Sequence, residues 1–312
     1  MIQYDGILLC DKPYGMTSHR VIDILRQTIG QKKIGHTGTL DPRAIGLLLI
    51  CLGRATKISQ FLGDLDKTYE AEITLGVRSS TYDSEGIIPD ENPKPVPSLT
   101  SNEIEKILSE FKGLIRQKVP AFSAVKVDGQ KLYKLARKGK KINPPEKEIE
   151  IKDISLTRWI SPLITCRVTC SKGTYIRSLA NDIGEKIGCG AYLSRLSRTR
   201  IGTYGLKEAL TLTEIKHYRE AGALKKHLRP IEDVLSYPSL KTDETFSAGI
   251  VSGRPLHRAN IIEFQGDFEA GQLICLKDHG GRIMAVGKSD INSGELRNHD
   301  GANFFNYVRV LN

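Results

Sequence analysis

One acidic side chain is placed where it could do chemistry. Asp41 lies in the segment Ile-Gly-His-Thr-Gly-Thr-Leu-Asp-Pro-Arg, residues 34–43. Gly35 and Gly38 allow backbone conformations that other residues avoid, and Pro42 biases the residue before it toward an extended conformation. The carboxylate is therefore presented from a bend, as nucleophiles and bases often are. Taken by spacing alone, these are also the residues of an ordinary turn.

The apolar run that follows this turn favours a functional Asp41. Residues 45–52 have the sequence Ile-Gly-Leu-Leu-Leu-Ile-Cys-Leu, which predicts a buried strand. A buried strand would hold the turn rigidly, and loops on rigid scaffolds often carry chemistry.

The elements around this turn can be predicted from periodicity. Alternating or continuously apolar segments predict strands at residues 6–10, 68–77, 149–156 and 163–170. Apolar residues at helical spacing predict helices over residues 19–29 behind the cap Ser18, after the capping box Thr100-x-x-Glu103, and after Ser171. Antiparallel strands with helices packed on them form a mixed α+β domain.

Two side chains in these elements raise functional questions. Tyr69 starts the clearest strand, where it is either a core aromatic or a platform on which a base stacks. Arg177 falls in the first turn of a helix, where a cation opposes the helix dipole. We therefore expect Arg177 to meet a carboxylate.

Charge is unevenly distributed along the 312 residues, a length that suits two domains. The whole chain carries 46 basic and 36 acidic residues, whereas residues 1–235 carry 38 and 27, a net charge of +11. This excess indicates a polyanionic partner, nucleic acid rather than membrane, although a soluble protein can also simply be basic. Short alternating segments beyond residue 236 predict a small β-rich domain, and we expect the chain to tolerate a cut there.

A basic segment lies within the first part. Between Lys126 and Lys141, seven basic residues accompany one acid, Asp128, with Tyr133 among them. The pattern suits a projecting hairpin or helix that grips an RNA backbone, although a solvated charged face would have the same composition.

Several classes of protein lack support in the sequence. The six cysteines form no Cys-x-x-Cys pair, which predicts buried thiols without a zinc site and a reducing, cytoplasmic location. No signal peptide or apolar stretch of about 18 residues is present, so no membrane association is expected. Phosphate-loop, dinucleotide-binding, zinc-hydrolase and nucleophile-elbow motifs are absent.

Five blocks of sequence resemble the signature blocks of the TruB family, bacterial tRNA pseudouridine synthases that act on uridine 55 in the T loop. They are Asp11-Lys-Pro-x-Gly-x-Thr-Ser18, Gly35-His-Thr-Gly-Thr-Leu-Asp-Pro42, Cys51-Leu-Gly-x-Ala-Thr-Lys57, Lys67-x-Tyr69 and Ser171-Lys-Gly-Thr-Tyr-Ile-Arg177. The resemblance covers residues 5 to about 205 in the family's order.

The resemblance implies roles for seven residues. Asp41 matches the catalytic aspartate, Arg177 the arginine that pairs with it, and Tyr69 the aromatic that stacks on the target uracil. The family's substrate-binding positions match His36, packed near the flipped nucleotide, Tyr175 and Leu196, lining the uracil pocket, and Lys12, near the site.

The resemblance also implies an architecture and a partner. Residues 1–235 would form a catalytic domain with the pseudouridine synthase fold, a central, mostly antiparallel sheet and a basic RNA-gripping insertion at about 120–148. Residues 236–312 would form a PUA-like RNA-binding domain. The substrate would be the T arm of tRNA, with no cofactor or metal, no obligate protein partner, and a monomeric enzyme.

Two alternative functions stay open, and so do three chemical roles for the aspartate of an active enzyme. A relative within a protein complex could take its target from a guide RNA, and an RNA-binding or tRNA-folding protein could carry an inactive site. For an active enzyme, the aspartate could attack ribose C1′, attack uracil C6, or act as a base toward a glycal.

Overall fold

The computed structural model describes residues 3–88, 94–127, 129–138, 143–299 and 303–311. Within these residues, the strands and helices of the first part of the chain are β1 (Gly6–Lys12), α1 (Ser18–Ile29), β2 (Ile34–His36), β3 (Ile45–Leu52), α2 (Ser59–Gly63), β4 (Lys67–Leu75), α3 (Ser101–Ser109), β5 (Gly113–Lys118), β6 (Lys126–Val127), β7 (Gln130–Lys131), α4 (Leu132–Arg137), β8 (Glu146–Ile160), β9 (Leu163–Cys170), α5 (Ile176–Ile187), β10 (Ala191–Ile201), β11 (Tyr204–Gly205), α6 (Leu212–Glu220) and α7 (Ile231–Val234).

A large sheet organises this part of the chain. Its strands lie in the order β1-β3-β10-β4-β9-β8-β5, with β2 added to β3 and β11 to β10. Neighbouring strands run antiparallel except β3 and β10, which pair in parallel through Ser197 with Ile45 and Arg198 with Gly46. The prediction of an α+β domain around a mostly antiparallel sheet is confirmed.

Alternation along β4 explains which side of the sheet is covered by helices. Tyr69, Ala71 and Ile73 point to one side, where α3 and α5 pack over them in one apolar cluster. The strand therefore buries one face and leaves glutamates on the other, as a half-buried strand should.

Helix α1 covers β1 and β3 in a second cluster, with Val21, Leu25 and Ile29 buried at helical spacing. Its cap is Thr17, whose side chain accepts a hydrogen bond from Arg20 N, so the prediction that Ser18 is the cap is wrong by one residue. Ser18 is instead the first helical residue, and it is buried.

The last part of the chain forms its own sheet. Its strands and helix are β12 (Ser239–Thr242), α8 (Ser247–Val251), β13 (Ile261–Gln265), β14 (Leu273–Lys277), β15 (Ile283–Ser289) and β16 (Phe305–Val310), and the strand order is β13-β12-β14-β15-β16. The small β-rich unit was predicted from the alternation that became β14, β15 and β16. A domain boundary between residues 235 and 236 stays a prediction; it falls between α7 and β12.

The two sheets share an apolar cluster. Leu47 and Leu49 of β3 pack in the same buried group as Ile283 of β15 and Leu311. Arg54 joins them with hydrogen bonds from Nε to Leu311 O (2.9 Å) and from Nη2 to Ile283 O (2.7 Å). The C-terminal sheet is therefore packed against the first one through buried apolar side chains and the bonds of Arg54.

The basic segment forms the β6-β7 hairpin followed by α4. Lys126, Lys134 and Lys138 are exposed, whereas Leu132 is buried. Asp128, Lys140 and Lys141 lie outside the described residues. A role for this segment in gripping RNA stays a prediction.

Candidate active site

Side chains from two other elements fix the backbone on both sides of Asp41. The Ser18 hydroxyl accepts a hydrogen bond from Leu40 N (2.9 Å) and donates one to Leu40 O (3.1 Å). Lys12 Nζ and Gly15 N both donate to Pro42 O, at 3.2 and 2.9 Å. The carboxylate is therefore carried by a loop whose neighbouring peptide groups are held in place.

Arg177 meets Asp41 across the fold. Its Nε lies 3.2 Å from Asp41 Oδ2, and its Nη2 lies 3.5 Å from Asp41 Oδ1 and 3.1 Å from the Phe122 carbonyl oxygen. The arginine side chain is 7% exposed and the aspartate side chain 45%. The carboxylate therefore remains accessible while its partner is buried. Arg177, in the first turn of α5, meets a carboxylate, as its position in the sequence predicted.

A second carboxylate approaches the same arginine. Asp83 Oδ2 lies 3.8 Å from Arg177 Nη1, and Asp83 Oδ1 accepts hydrogen bonds from Thr81 Oγ1 and Glu85 N. Arg177 is thus placed between two acids, so its charge is shared.

Desolvation by the surrounding protein raises the pKa of Asp41 above its ordinary value, although the side chain is 45% exposed. Arg177 opposes this rise most strongly, whereas the nearby charges of Asp83 and Glu85 add to it. A carboxylate whose ionised form is weakly solvated is a stronger base and a more reactive nucleophile than one in water.

A cavity of about 380 Å³ opens beside the pair. This volume is within the range of small-ligand sites. Asp41, Tyr69, Tyr175, Arg177 and Leu196 all line it, so the structure brings together five of the seven residues singled out in the sequence.

Tyr175 is held in this wall by its backbone. Tyr175 N donates to Gln117 Oε1 at 2.8 Å, and Gln117 Nε2 donates to Tyr175 O at 3.1 Å. Gln117 is buried in β5, and nothing in the sequence marked it.

Lys12 and His36 lie outside the lining of the cavity. Lys12 is fully buried, and its Nζ donates to the carbonyl oxygens of Pro13, Met16 and Pro42. Burial lowers its pKa to about 8. Burial, together with the charge of Arg198, also lowers the pKa of His36. Lys12 thus braces the Asp41 loop, and His36 sits beside the cavity on β2.

Sequence reasoning missed two charged residues of the site. Asp83 lies in the polar loop after β4, where no periodicity or motif distinguishes it. Arg198 belongs to no motif singled out in the sequence, yet it lines the cavity and is buried. The signal that could have found it is strand alternation, which places Arg198 on the same side of β10 as Leu196.

Another cavity, of about 320 Å³, is also lined by Asp41 and Arg177. Asp83, Glu85 and Tyr133 are among its lining residues. Tyr133 belongs to α4, so the basic segment reaches the edge of the site.

The described residues include neither a metal-binding cluster nor a membrane-spanning helix. They contain no group of three or more His, Cys, Asp or Glu side chains arranged to hold a metal ion. None of their helices has the length and apolar character needed to cross a lipid bilayer. The cysteines among them are all free thiols.

Three family models match the chain in succession. The TruB family pseudouridylate synthase N-terminal domain matches residues 26–176, the tRNA pseudouridylate synthase B C-terminal domain matches residues 177–236, and the PUA domain matches residues 239–311. The expected PUA-like module is therefore confirmed.

Solved structures show the same fold. A chain in an H/ACA ribonucleoprotein bound to a substrate RNA has a TM-score of 0.76 at 24% identity, covering 98% of this chain and 85% of that one. A chain in a Cbf5-Nop10-Gar1 complex has a TM-score of 0.76 at 25% identity, with the same coverage.

Curated relatives are more similar in sequence. The tRNA pseudouridine synthase B of Bacillus subtilis is 40% identical over 90% of this chain and 92% of its own length. That of Azoarcus sp. is 42% identical over 94% of this chain and 93% of its own length. With these relatives and the three matched domains, the chain belongs to the TruB family of pseudouridylate synthases.

Proposed function

We propose that this TruB-family isomerase converts uridine 55 in the T loop of tRNA to pseudouridine and that Asp41 is its catalytic carboxylate. The observation that carries the assignment is the contact between Asp41 and buried Arg177 at the edge of a cavity walled by Tyr69. Relatives about 40% identical are named tRNA pseudouridine synthase B, which supports tRNA as the substrate.

The reaction is an isomerisation that needs no second substrate. The bond from ribose C1′ to uracil N1 breaks, the ring turns, and C1′ bonds to C5; the ring loses the proton at C5 and gains one at N1. Asp41 attacks C1′ or C6, or removes a sugar proton toward a glycal, and each route starts from its ionised form. Arg177 favours that form and orients both carboxylate oxygens.

The target base must leave its stack to reach Asp41. Flipping costs a few kcal/mol, and stacking on an aromatic ring returns about 1 to 3 kcal/mol. Tyr69 provides the ring, and Tyr175 and Leu196 close the pocket around the uracil. His36, beside the cavity on β2, occupies the space that the flipped nucleotide leaves.

The enzyme acts as a monomer in the cytoplasm, on tRNA alone, without a guide RNA or a protein partner. Support comes from the net charge of +11 on residues 1–235 and from the exposed lysines of the β6-β7 and α4 segment, which suit direct contact with RNA phosphates. The PUA domain supplies a second RNA-binding surface.

One experiment tests these assignments together. Purified protein is incubated with an unmodified tRNA transcript and with a transcript carrying cytidine at position 55, and pseudouridine is mapped by chemical derivatisation and primer extension. We expect pseudouridine at position 55 of the first transcript only. Binding without pseudouridine would identify an inactive RNA-binding protein, and activity only after adding a guide RNA would contradict stand-alone action.

A further inference from the structure

Arg198 occupies the centre of the sheet beneath the site. It lies on β10, between β3 and β4, where its register partners are Gly46 on one side and Tyr69 on the other. The residue is 1% exposed and is among the largest fully buried side chains among the described residues. It therefore stands between the strand that follows Asp41 and the strand that carries Tyr69.

Two hydrogen bonds from the guanidinium close the loop that carries Asp41. Arg198 Nη2 donates to Gly38 O at 3.0 Å, and Nε donates to Leu47 O at 2.8 Å. The two carbonyl groups flank Asp41, three residues before it and six after it. Arg198 thus fixes both ends of the segment whose middle is held by Ser18 and Lys12.

The backbone of β3 comes unusually close to Arg198. A Cβ atom on Gly46 would lie 2.4 Å from Arg198 O, and the φ angle of Gly46 is +101°. Only glycine fits such an approach. The glycine after the Asp41 turn therefore allows β3 to pair with β10 where Arg198 can reach both carbonyl groups.

Tyr69 is the register partner of Arg198 across the β10–β4 pairing, and both side chains line the cavity. Burial raises the pKa of Tyr69, and this rise is opposed by the charge of Arg198. Among the described residues, no carboxylate lies within ion-pair distance of Arg198, unlike Arg177. Burying an uncompensated cation is costly, even when carbonyl oxygens accept its hydrogen bonds. A purely structural link between strands does not need that charge.

We propose that Arg198 is a positioning residue that sets the distance and angle between the Asp41 carboxylate and the Tyr69 ring. This inference rests on the proposed roles of Asp41 and Tyr69. Asp41 and Tyr69 belong to segments joined by 27 intervening residues. Arg198 hydrogen-bonds to the loop of the first and pairs in register with the second. Arg198 is 1% exposed and its guanidinium is bonded to the backbone of the Asp41 segment, so it acts by holding these groups in place.

The test compares three variants by single-turnover rate at saturating tRNA and by tRNA affinity. Arg198→Met removes the charge and both hydrogen bonds, and Arg198→Lys keeps the charge but cannot span both carbonyl groups. Arg200→Met is the matched control, since Arg200 is exposed two residues further along β10. Because misplacement by about 1 Å can cost about 100-fold in rate, we expect a loss of that order for Arg198→Met and a smaller loss for Arg198→Lys.

Affinity for tRNA should stay within about 3-fold for both Arg198 variants, and the Arg200→Met rate should equal that of the unchanged protein. A Tyr69→Phe substitution adds a second readout, because it removes only the hydroxyl of the residue that pairs with Arg198. The double variant Tyr69→Phe/Arg198→Lys should be little slower than Arg198→Lys alone, since both substitutions disturb the same pair of neighbouring residues.

Three results would overturn the inference. One is a single-turnover rate for Arg198→Met within about 3-fold of that of the unchanged protein. Another is a loss of rate that is matched by an equal loss of affinity and is explained by the fraction of protein that is folded. The last is an effect of Arg198→Lys that adds to that of Tyr69→Phe. If Arg198→Met does not fold, Arg198→Lys decides by the same criteria. Asp41→Asn is run alongside, because its activity tests the proposed function independently of Arg198.

Discussion

Asp41 and Arg177 are in contact although 136 positions separate them in the chain. Their contact joins a loop after β2 to the first turn of α5, and both partners are held by further groups, Asp41 by its braced loop and Arg177 by Phe122 O. The pair therefore has the rigidity that catalysis by a single carboxylate requires.

Arg177→Lys should uncouple rate from affinity. Lysine keeps the charge but lacks the planar fork that reaches both Asp41 oxygens and the Phe122 carbonyl oxygen together. We expect the single-turnover rate to fall by about 100- to 1,000-fold, with little change in tRNA binding. Rate and binding are measured in parallel; a rate that changes less than about 3-fold would show that charge alone suffices.

Asp83→Asn should shift the acid limb of the rate profile to lower pH. In the proposed mechanism the ionised form of Asp41 is the active one, so activity should be lost as pH falls through its pKa, which burial and the charge of Asp83 raise. Removing that charge lowers the pKa of Asp41 and preserves the ionised form into more acidic solution. The midpoint of single-turnover rate against pH is the measurement. A midpoint that moves upward would contradict the proposed electrostatics, whatever happens to the maximum rate.

At the scale of elements, the Asp41 loop depends on side chains from α1, β1 and β10. Ser18→Ala leaves Leu40 N and O without their partner in a buried place. We expect a loss of about 1 to 3 kcal/mol in the free energy of unfolding, and a fall in single-turnover rate.

Ser109→Ala is the control for Ser18→Ala, because Ser109 is an exposed helical serine with one local hydrogen bond. Its effect should stay within about 0.5 kcal/mol. Urea denaturation and single-turnover rates compare the two variants. Equal effects on stability would mean that Ser18 does not brace the loop.

The basic segment should contribute to RNA affinity through phosphate contacts. Replacing the exposed Lys126, Lys134 and Lys138 with Gln should weaken tRNA binding and flatten the slope of log affinity against log salt by about 2 to 3. The control is the same replacement at the exposed lysines of α6 and the turn after it, Lys216, Lys225 and Lys226. An unchanged slope in the first variant would leave the segment without a role in gripping RNA.

The elements show where periodicity is informative and where it is not. The alternation of residues 68–77 and the helical spacing from Val21 to Ile29 predicted β4 and α1 closely. Asp83 could not be predicted, because it lies in a loop whose conformation depends on distant parts of the chain. Arg198 was visible as a charge, but only the pairing of β10 with β3 and β4 shows that the charge is buried.

At the scale of the whole molecule, the shared apolar cluster changes what a truncation should do. The sequence pattern and the charge distribution predicted that a chain cut near residue 236 would still fold. Removing the C-terminal sheet would expose Leu235, Ile231 and the side of β3 that packs against Ile283 and Leu311. We therefore expect a truncated chain of residues 1–235 to have a lower melting temperature and to aggregate.

The soluble fraction of that truncated chain should bind tRNA more weakly but retain some isomerisation at saturating substrate, since every proposed catalytic residue precedes residue 236. Thermal unfolding, size-exclusion chromatography and single-turnover assays distinguish these effects. An unchanged melting temperature would show that the contact between the sheets contributes little, and a folded truncation with no activity would show that the C-terminal sheet completes the site.

The single-turnover reaction of Asp41→Asn with tRNA tests the central proposal most directly. Asparagine keeps the size and hydrogen-bonding capacity of the side chain but removes the negative charge beside Arg177. We expect no detectable pseudouridine at position 55, with tRNA affinity within about 3-fold of the unchanged protein, because the carboxylate acts in chemistry and not in binding. Substantial conversion by Asp41→Asn at saturating enzyme would contradict the role of Asp41 and the mechanism built on it.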